Sequence, residues 1–287
     1  MLFICVTLII LLLLFPGVAH EGTDFGLHLF LEALFPYLLP YLILTGWLLR
    51  MTAHYTLHPF LLYMKTYLLS AVGGFPTGAA TIAQLVKSKE LSKEEAALLL
   101  GICHCPSPLF TIGFIGMDLL QNTAFAWQYL LLLHTFSLGL LVLFYRRFPH
   151  TKKNNNHSLT TQYAFTASLK ESMPTVLIVC ATIVFFTTIY AVLLHSIHHF
   201  FILHDWTRIV LAAVLEMTSG LQFIEKFLNG NFMMFALVVA LTAQSFSIHM
   251  QVFIIAKSSS IAFRPYIFIR FFYIITIPTL FWILFLV

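Results

Sequence analysis

Charge is what this sequence lacks most. Asp, Glu, Lys and Arg make up 9% of its 287 residues, while 60% are hydrophobic, and the mean hydropathy is +0.93. A soluble domain carries roughly 25% charged residues to keep its exterior solvated, so an ordinary water-soluble fold is excluded and the chain reads as a polytopic membrane protein. The formal charge of +4 comes from loop lysines and arginines. No basic run is interleaved with exposed aromatics, which argues against nucleic acid as a partner. Four cysteines, Cys5, Cys103, Cys105 and Cys180, lie mostly in apolar segments and give no disulfide framework. Walker loop, nucleophile elbow and dinucleotide fingerprint are missing, so an ATP-driven pump would need a partner chain and an enzyme is not expected. Cys103-His104-Cys105 sets three potential ligands side by side, which cannot close a tetrahedral site alone, and no second Cys/His pair stands at ligand spacing. No metal and no cofactor is expected.

What the sequence does have is a series of long apolar runs with paired interruptions. Leu2 to Val18 lacks the basic n-region of a signal peptide, although Gly17-Val18-Ala19 would serve as a cleavage site, and reads as a retained transmembrane helix followed by an external link, residues 1–26 together. A first unit follows over 27–144. Leu27 to Leu49 spans; Pro59 to Val72 is short of the roughly 20 residues a crossing needs. It meets Gly73-Gly74-Phe75-Pro76-Thr77-Gly78, and Ala79 to Val86 returns, which predicts a re-entrant hairpin over 59–88. Ser92 with Glu94 and Glu95 starts a helix that stops at His104-Cys105-Pro106-Ser107-Pro108 and resumes, a broken helix over 92–120. Trp127 to Phe144 spans again.

A polar linker, 145–158, carries Arg146, Arg147, Lys152 and Lys153. Beyond it, 159–287 makes a second unit. Leu159 to Ser172 is predicted to lie along the surface, Pro174 to Leu194 to span, and His195, His198, His199 and His204 to share an exposed turn. A second hairpin over 206–228 breaks at Thr218-Ser219-Gly220, and a second broken helix over 232–257 is interrupted from Gln244 to Gln251. A last span runs from Tyr266. With the linker cytoplasmic, the cations at 50, 87 to 93 and 257 to 264 fall on its side and Glu21 to Asp24 outside. The two units then repeat one order from opposite faces. The fold expected is an all-α polytopic transmembrane bundle with an inverted repeat, two re-entrant hairpins and two broken helices.

On these residues the chain resembles a known family. Gly73 to Ala79, Leu91-Ser92-Lys93-Glu94-Glu95-Ala96, Ser107-Pro108-Leu109-Phe110 with His134, Leu215 to Leu221, and Ser247 to Gln251 are similar to the YlbJ-type sporulation integral membrane proteins. These belong to the nucleoside-recognition Gate group, itself similar to the core of concentrative nucleoside transporters. The resemblance implies a bacterial inner-membrane transporter-like protein linked to spore cortex formation and dipicolinate movement. The family usually carries two asparagines at the positions of His104-Cys105 and two glycines at those of Gln244-Ser245.

Helices that begin inside a membrane aim unpaired N–H groups and a positive dipole end into the space before them. The expected lining is therefore Gly74, Pro76, Thr77, Gly78, His104, Cys105 and Ser107 from the first unit. The second supplies Glu216, Thr218, Ser219, Gly220, Gln244, Ser245, Ser247, His249 and Gln251. Glu216 is the sharpest position, because a carboxyl at depth must be paired, protonated or bound to a cation. The bland alternative for each is close helix packing or back-bonding of Ser and Thr to their own helix. The function expected is alternating-access movement of a small polar or anionic solute, dipicolinate-like or nucleoside-like. The alternative is a non-transporting scaffold or gating partner. The partners expected are the solute and the lipid bilayer, with a coupling cation or proton and further copies of the chain as candidates.

Overall fold

The computed structural model describes residues 2–52, 57–146, 163–200 and 204–287. Among them every regular element is helical. Four segments are long and apolar enough to cross a membrane, and a fifth is a bent pair. The basic linker lies outside the described residues from position 147 onward, and so do residues 159–162.

The chain begins with α1 (Leu2–Leu14) and turns by 100° into α2 (Pro16–Leu29). A π-helical segment, Phe30–Leu34, carries α2 into α3 (Phe35–Met51). Residues 20–26, expected as a link, are thus helical. Their polar side chains had suggested a loop, but Gly22, Gly26 and Leu29 are buried at helical spacing while Glu21 and Asp24 face outward, which is an amphipathic helix. It packs on α8 (Ala164–Phe200), whose Ala191, Thr188 and Thr187 occupy the space a Cβ on Gly22 or Gly26 would need. Thr23 and Thr188 share a 2.9 Å hydroxyl hydrogen bond across the contact.

Helix α8 also corrects two expectations. Residues 164–172 do not form a separate surface helix; they are its first turns, with Pro174 inside it. His195, His198 and His199 sit on its last turns rather than in a loop.

Between these lie α4 (Pro59–Gly73), α5 (Thr77–Lys87), α6 (Lys93–Ile102), a π-helical stretch Leu109–Leu119, and α7 (Thr123–Tyr145). The start of α6 is fixed by a reciprocal capping box: Glu95 N–H donates to Ser92 Oγ at 3.2 Å, and Ser92 N–H donates to Glu95 Oε2 at 2.7 Å. The second half continues with α9 (Asp205–Leu215), α10 (Met217–Phe227), α11 (Gly230–Ala243), α12 (Phe246–Ser258) and α13 (Arg264–Phe281). Here the breaks fall earlier and are shorter than expected. The chain leaves α9 at Glu216, so Thr218 to Gly220 form the first turn of α10, and α11 and α12 are separated only by Gln244 and Ser245.

One large apolar core joins α4 to α7 with α9 to α13. A smaller cluster of Leu29, Phe30, Leu38, Leu42, Val176, Val179 and Ile183 holds α2 and α3 to α8.

Candidate functional site

The turn between α4 and α5 is set by Gly74, at φ +70°, a conformation that costs glycine nothing and other residues much. A Cβ there would come within 2.6 Å of the Ser107 nitrogen, so this turn rests directly on the interruption after α6. Gly78 is also closely packed, less tightly: a Cβ would meet Ser70 Cβ of α4 at 3.0 Å and the Cys103 carbonyl at 3.2 Å. The interruption after α6 in turn reaches the one after α11, because His104 Nε2 and Gln244 Oε1 lie 2.6 Å apart. Gln244 holds φ +63° and ψ 175°, a region almost reserved for glycine.

Arg270 ties this junction together. It is 3% exposed, projects from α13, and donates from Nη1 to the His104 carbonyl at 3.1 Å and from Nη2 to the Thr242 carbonyl. These carbonyls lie at the C-terminal ends of α6 and α11, where unpaired acceptors and the negative ends of two helix dipoles attract a cation. Among the described residues no carboxylate forms an ion pair with Arg270. Near it His104 Nδ1, Gln244 Nε2, Ser245 Oγ and Arg270 Nε, and beside Gly73 the Thr77 Oγ1, are buried without hydrogen-bond partners. Buried polar groups are nearly always satisfied in folded proteins, so this concentration marks a place for water or a polar ligand.

A small chamber, about 40 Å³, lies beside the junction, walled by Pro76, Glu216, Thr218, Ser247 and Gln251 together with Leu34, Leu38, Phe75 and Phe110. That volume takes one or a few waters or a small ion. Glu216 caps α10: its Oε2 accepts from Ser219 N–H at 2.8 Å and from Ser219 Oγ at 3.1 Å. The last four chamber residues also wall a cavity of about 270 Å³ that includes Ser107, Glu32 and Asp118.

The sixteen residues singled out from sequence divide accordingly. Pro76, Glu216, Thr218, Ser247 and Gln251 meet in the chamber and Ser107 in the adjoining cavity. Gly74, Thr77, Gly78, His104, Gln244 and Ser245 belong to the junction. Cys105 is buried there with its thiol 3.7 Å from the Cys103 carbonyl. The remaining three do not line the chamber. Ser219 is taken up by Glu216, and Gly220 lies where α10 presses on the backbone of Ala213 in α9, which is a packing role. His249 donates from Nε2 to the Ala243 carbonyl at 2.9 Å, so its Nδ1 accepts from the Tyr266 hydroxyl at 2.8 Å; it borders a different, apolar cavity.

Arg270 and Thr242 were missed. For Arg270 the signal was present, a solitary cation inside an apolar span, which is costly enough to imply a role. Thr242 carried none, since its part lies in a main-chain carbonyl.

Among known proteins, the chain is similar to sporulation integral membrane protein YlbJ of Bacillus subtilis (strain 168), 28% identical over 123 residues. The similarity covers 38% of this chain and 30% of that protein, so it spans under a third of the relative's length. Neither a family model nor a solved structure matches the chain. An integral membrane relative and a bundle of apolar helices agree. The chain is a helical membrane protein.

Proposed function

We propose that this protein is a secondary transporter of the bacterial cell membrane, moving a small polar or anionic solute by alternating access in a sporulation-linked role. The observation that carries this reading is that the interruptions after α4, α6 and α11 meet in one buried polar junction, while the fourth, at Glu216, walls the chamber beside it. Irregular backbone at membrane depth is tolerated where protein buries it or water reaches it, and in transporters such breaks form the solute site. In this reading α4 with α5 and α9 with α10 are re-entrant hairpins, and α6 and α11 begin the broken helices. The halves form an inverted repeat, the Gate-type arrangement, with the 145–158 linker cytoplasmic. No enzymatic step is assigned to the site.

The helix ends support a polar or anionic solute. Neither α5 nor α12 has a side-chain cap, which leaves first-turn amides for a ligand. The start of α10 is already occupied by Glu216, which suits that carboxyl to a coupling cation or proton on the chamber wall.

Flux in proteoliposomes tests the reading, with aromatic dicarboxylates and nucleosides as solutes and Glu216→Gln as the variant. Glutamine keeps an oxygen to cap α10 but cannot carry the charge, so coupled flux is expected to be lost while the melting temperature holds. Full flux in that variant would remove Glu216 from the mechanism. Absence of flux for every solute, with stable capture of a partner protein, would replace transport by a scaffold role.

A further inference from the structure

A second polar cavity, about 390 Å³, lies between α3, α5, α8 and α12, and α3, α8 and α12 also contribute to the chamber. Its charged wall residues are Arg50, Lys87, Lys170 and Glu171, joined by the polar side chains of Thr81 and Gln84. Three cations against one carboxylate leave it positive. Arg50 is held in place: it is 8% exposed, Nη1 donates to Ser168 Oγ at 2.9 Å, and Nη2 pairs with Glu171 at 2.6 Å. Lys87 and Lys170 are exposed at the rim. The cavity on the other side of the chamber has Glu32 and Asp118 in its wall and no cation.

The three spaces follow one another along α3. Leu34 and Leu38 border both the acidic cavity and the chamber, while Leu42, Thr45 and Arg50 border the basic cavity. Leu38 and Arg50 are about 18 Å apart at 1.5 Å per residue. Chamber and basic cavity share no wall residue. What lies between is the smaller apolar cluster, in which Leu38 and Leu42 of α3 pack on Val176 and Val179 of α8 with Ala80 of α5 beside them.

We propose that the basic cavity is an anion-binding vestibule for the transported solute, receiving a carboxylate or phosphate group, and that the plug of Leu38, Leu42, Val176 and Val179 closes it from the chamber. This rests on the transport reading above. A concave wall built on a fixed arginine, polar to its rim and opposed by an acidic mouth, concentrates anions where a flat topogenic charge patch would not. The same anionic chemistry could be offered by a lipid headgroup, and the test separates the two.

The full-length protein is placed in phosphatidylcholine nanodiscs and titrated calorimetrically with inorganic phosphate and with benzene-1,3-dicarboxylate. Saturable binding is expected, weakening as salt rises and falling by about tenfold or more in Lys87→Gln/Lys170→Gln, since each removes a nearby cation. Both lysines are exposed, so the variant should melt with the parent. Affinity unchanged in the double variant, or no binding of either probe, would overturn the site. Loss of probe binding when phosphatidylglycerol replaces phosphatidylcholine would assign the cavity to headgroups and overturn the vestibule. Probe binding that depends on the lysines in a protein that moves no solute would keep the anion site while removing the transport reading. Anion flux indifferent to the lysines would keep transport and remove the vestibule.

Discussion

Arg270→Lys isolates what the guanidinium does at the junction. The substitution keeps the charge, so the cost of burying a cation is nearly the same before and after, but it replaces a planar fork by a point donor on a different stem. Arg270 now serves two carbonyls, that of His104 in the interruption after α6 and that of Thr242 in the last turn of α11. An ammonium from the same Cα can reach one of them, leaving the other without its charged donor. A hydrogen bond to a charged group is worth about 1.5–3 kcal/mol, and at about 2–4 °C per kcal/mol for a domain of 150–250 residues the melting temperature should fall by roughly 3–12 °C. The assay is thermal unfolding of the detergent-purified protein, with Arg264→Lys at the exposed start of α13 as the control, expected to be silent. Equal melting of Arg270→Lys and the parent, or an equal drop in the control, would refute the bridging role.

Two further predictions concern the backbone. Gln244→Gly and Gln244→Ala both remove the side chain that meets His104, so they differ mainly in the cost of φ +63°. A non-glycine residue there carries about 1–3 kcal/mol of strain, offset in part by the extra unfolded-state freedom of glycine, about 0.4–1 kcal/mol. The glycine variant should therefore melt above the alanine variant, and the reverse order would contradict the strained geometry. Gly220→Ala should cost about 1–3 kcal/mol by overpacking, because its Cβ would collide with the backbone of Ala213. Unaltered stability with altered solute flux would instead place Gly220 at the site.

Much of the architecture could be read from local chemistry. Ser92 and Glu95 announce a helix start because a hydroxyl and a carboxyl three residues apart satisfy each other's backbone N–H groups, and they do so here. Gly74 announces a break because few other residues tolerate a positive φ, and Pro106 and Pro108 because proline has no N–H to donate and its ring clashes with the preceding helical turn. Residues 20–26 were misread because polar content was taken for a loop, although burial follows helical spacing once α8 supplies the partner face. The break placed at Thr218 to Gly220 fell at Glu216, whose carboxyl caps the helix that those residues begin. Small polar residues announce a helix start as readily as a gap.

Sequence alone determined the solvent of this chain, because a chain with 9% charge cannot cover its surface with solvated groups. It also determined that the apolar runs are interrupted, and where most interruptions lie, because backbone preference is a local property. The tertiary structure decided which interruptions meet. His104 and Gln244 are 140 positions apart, and Arg270 becomes intelligible only when a carbonyl just past the end of α6 and another in the last turn of α11 stand within reach of it. Hydrogen-bond partners across such distances in sequence are selected by packing, and packing is a property of the assembled helices.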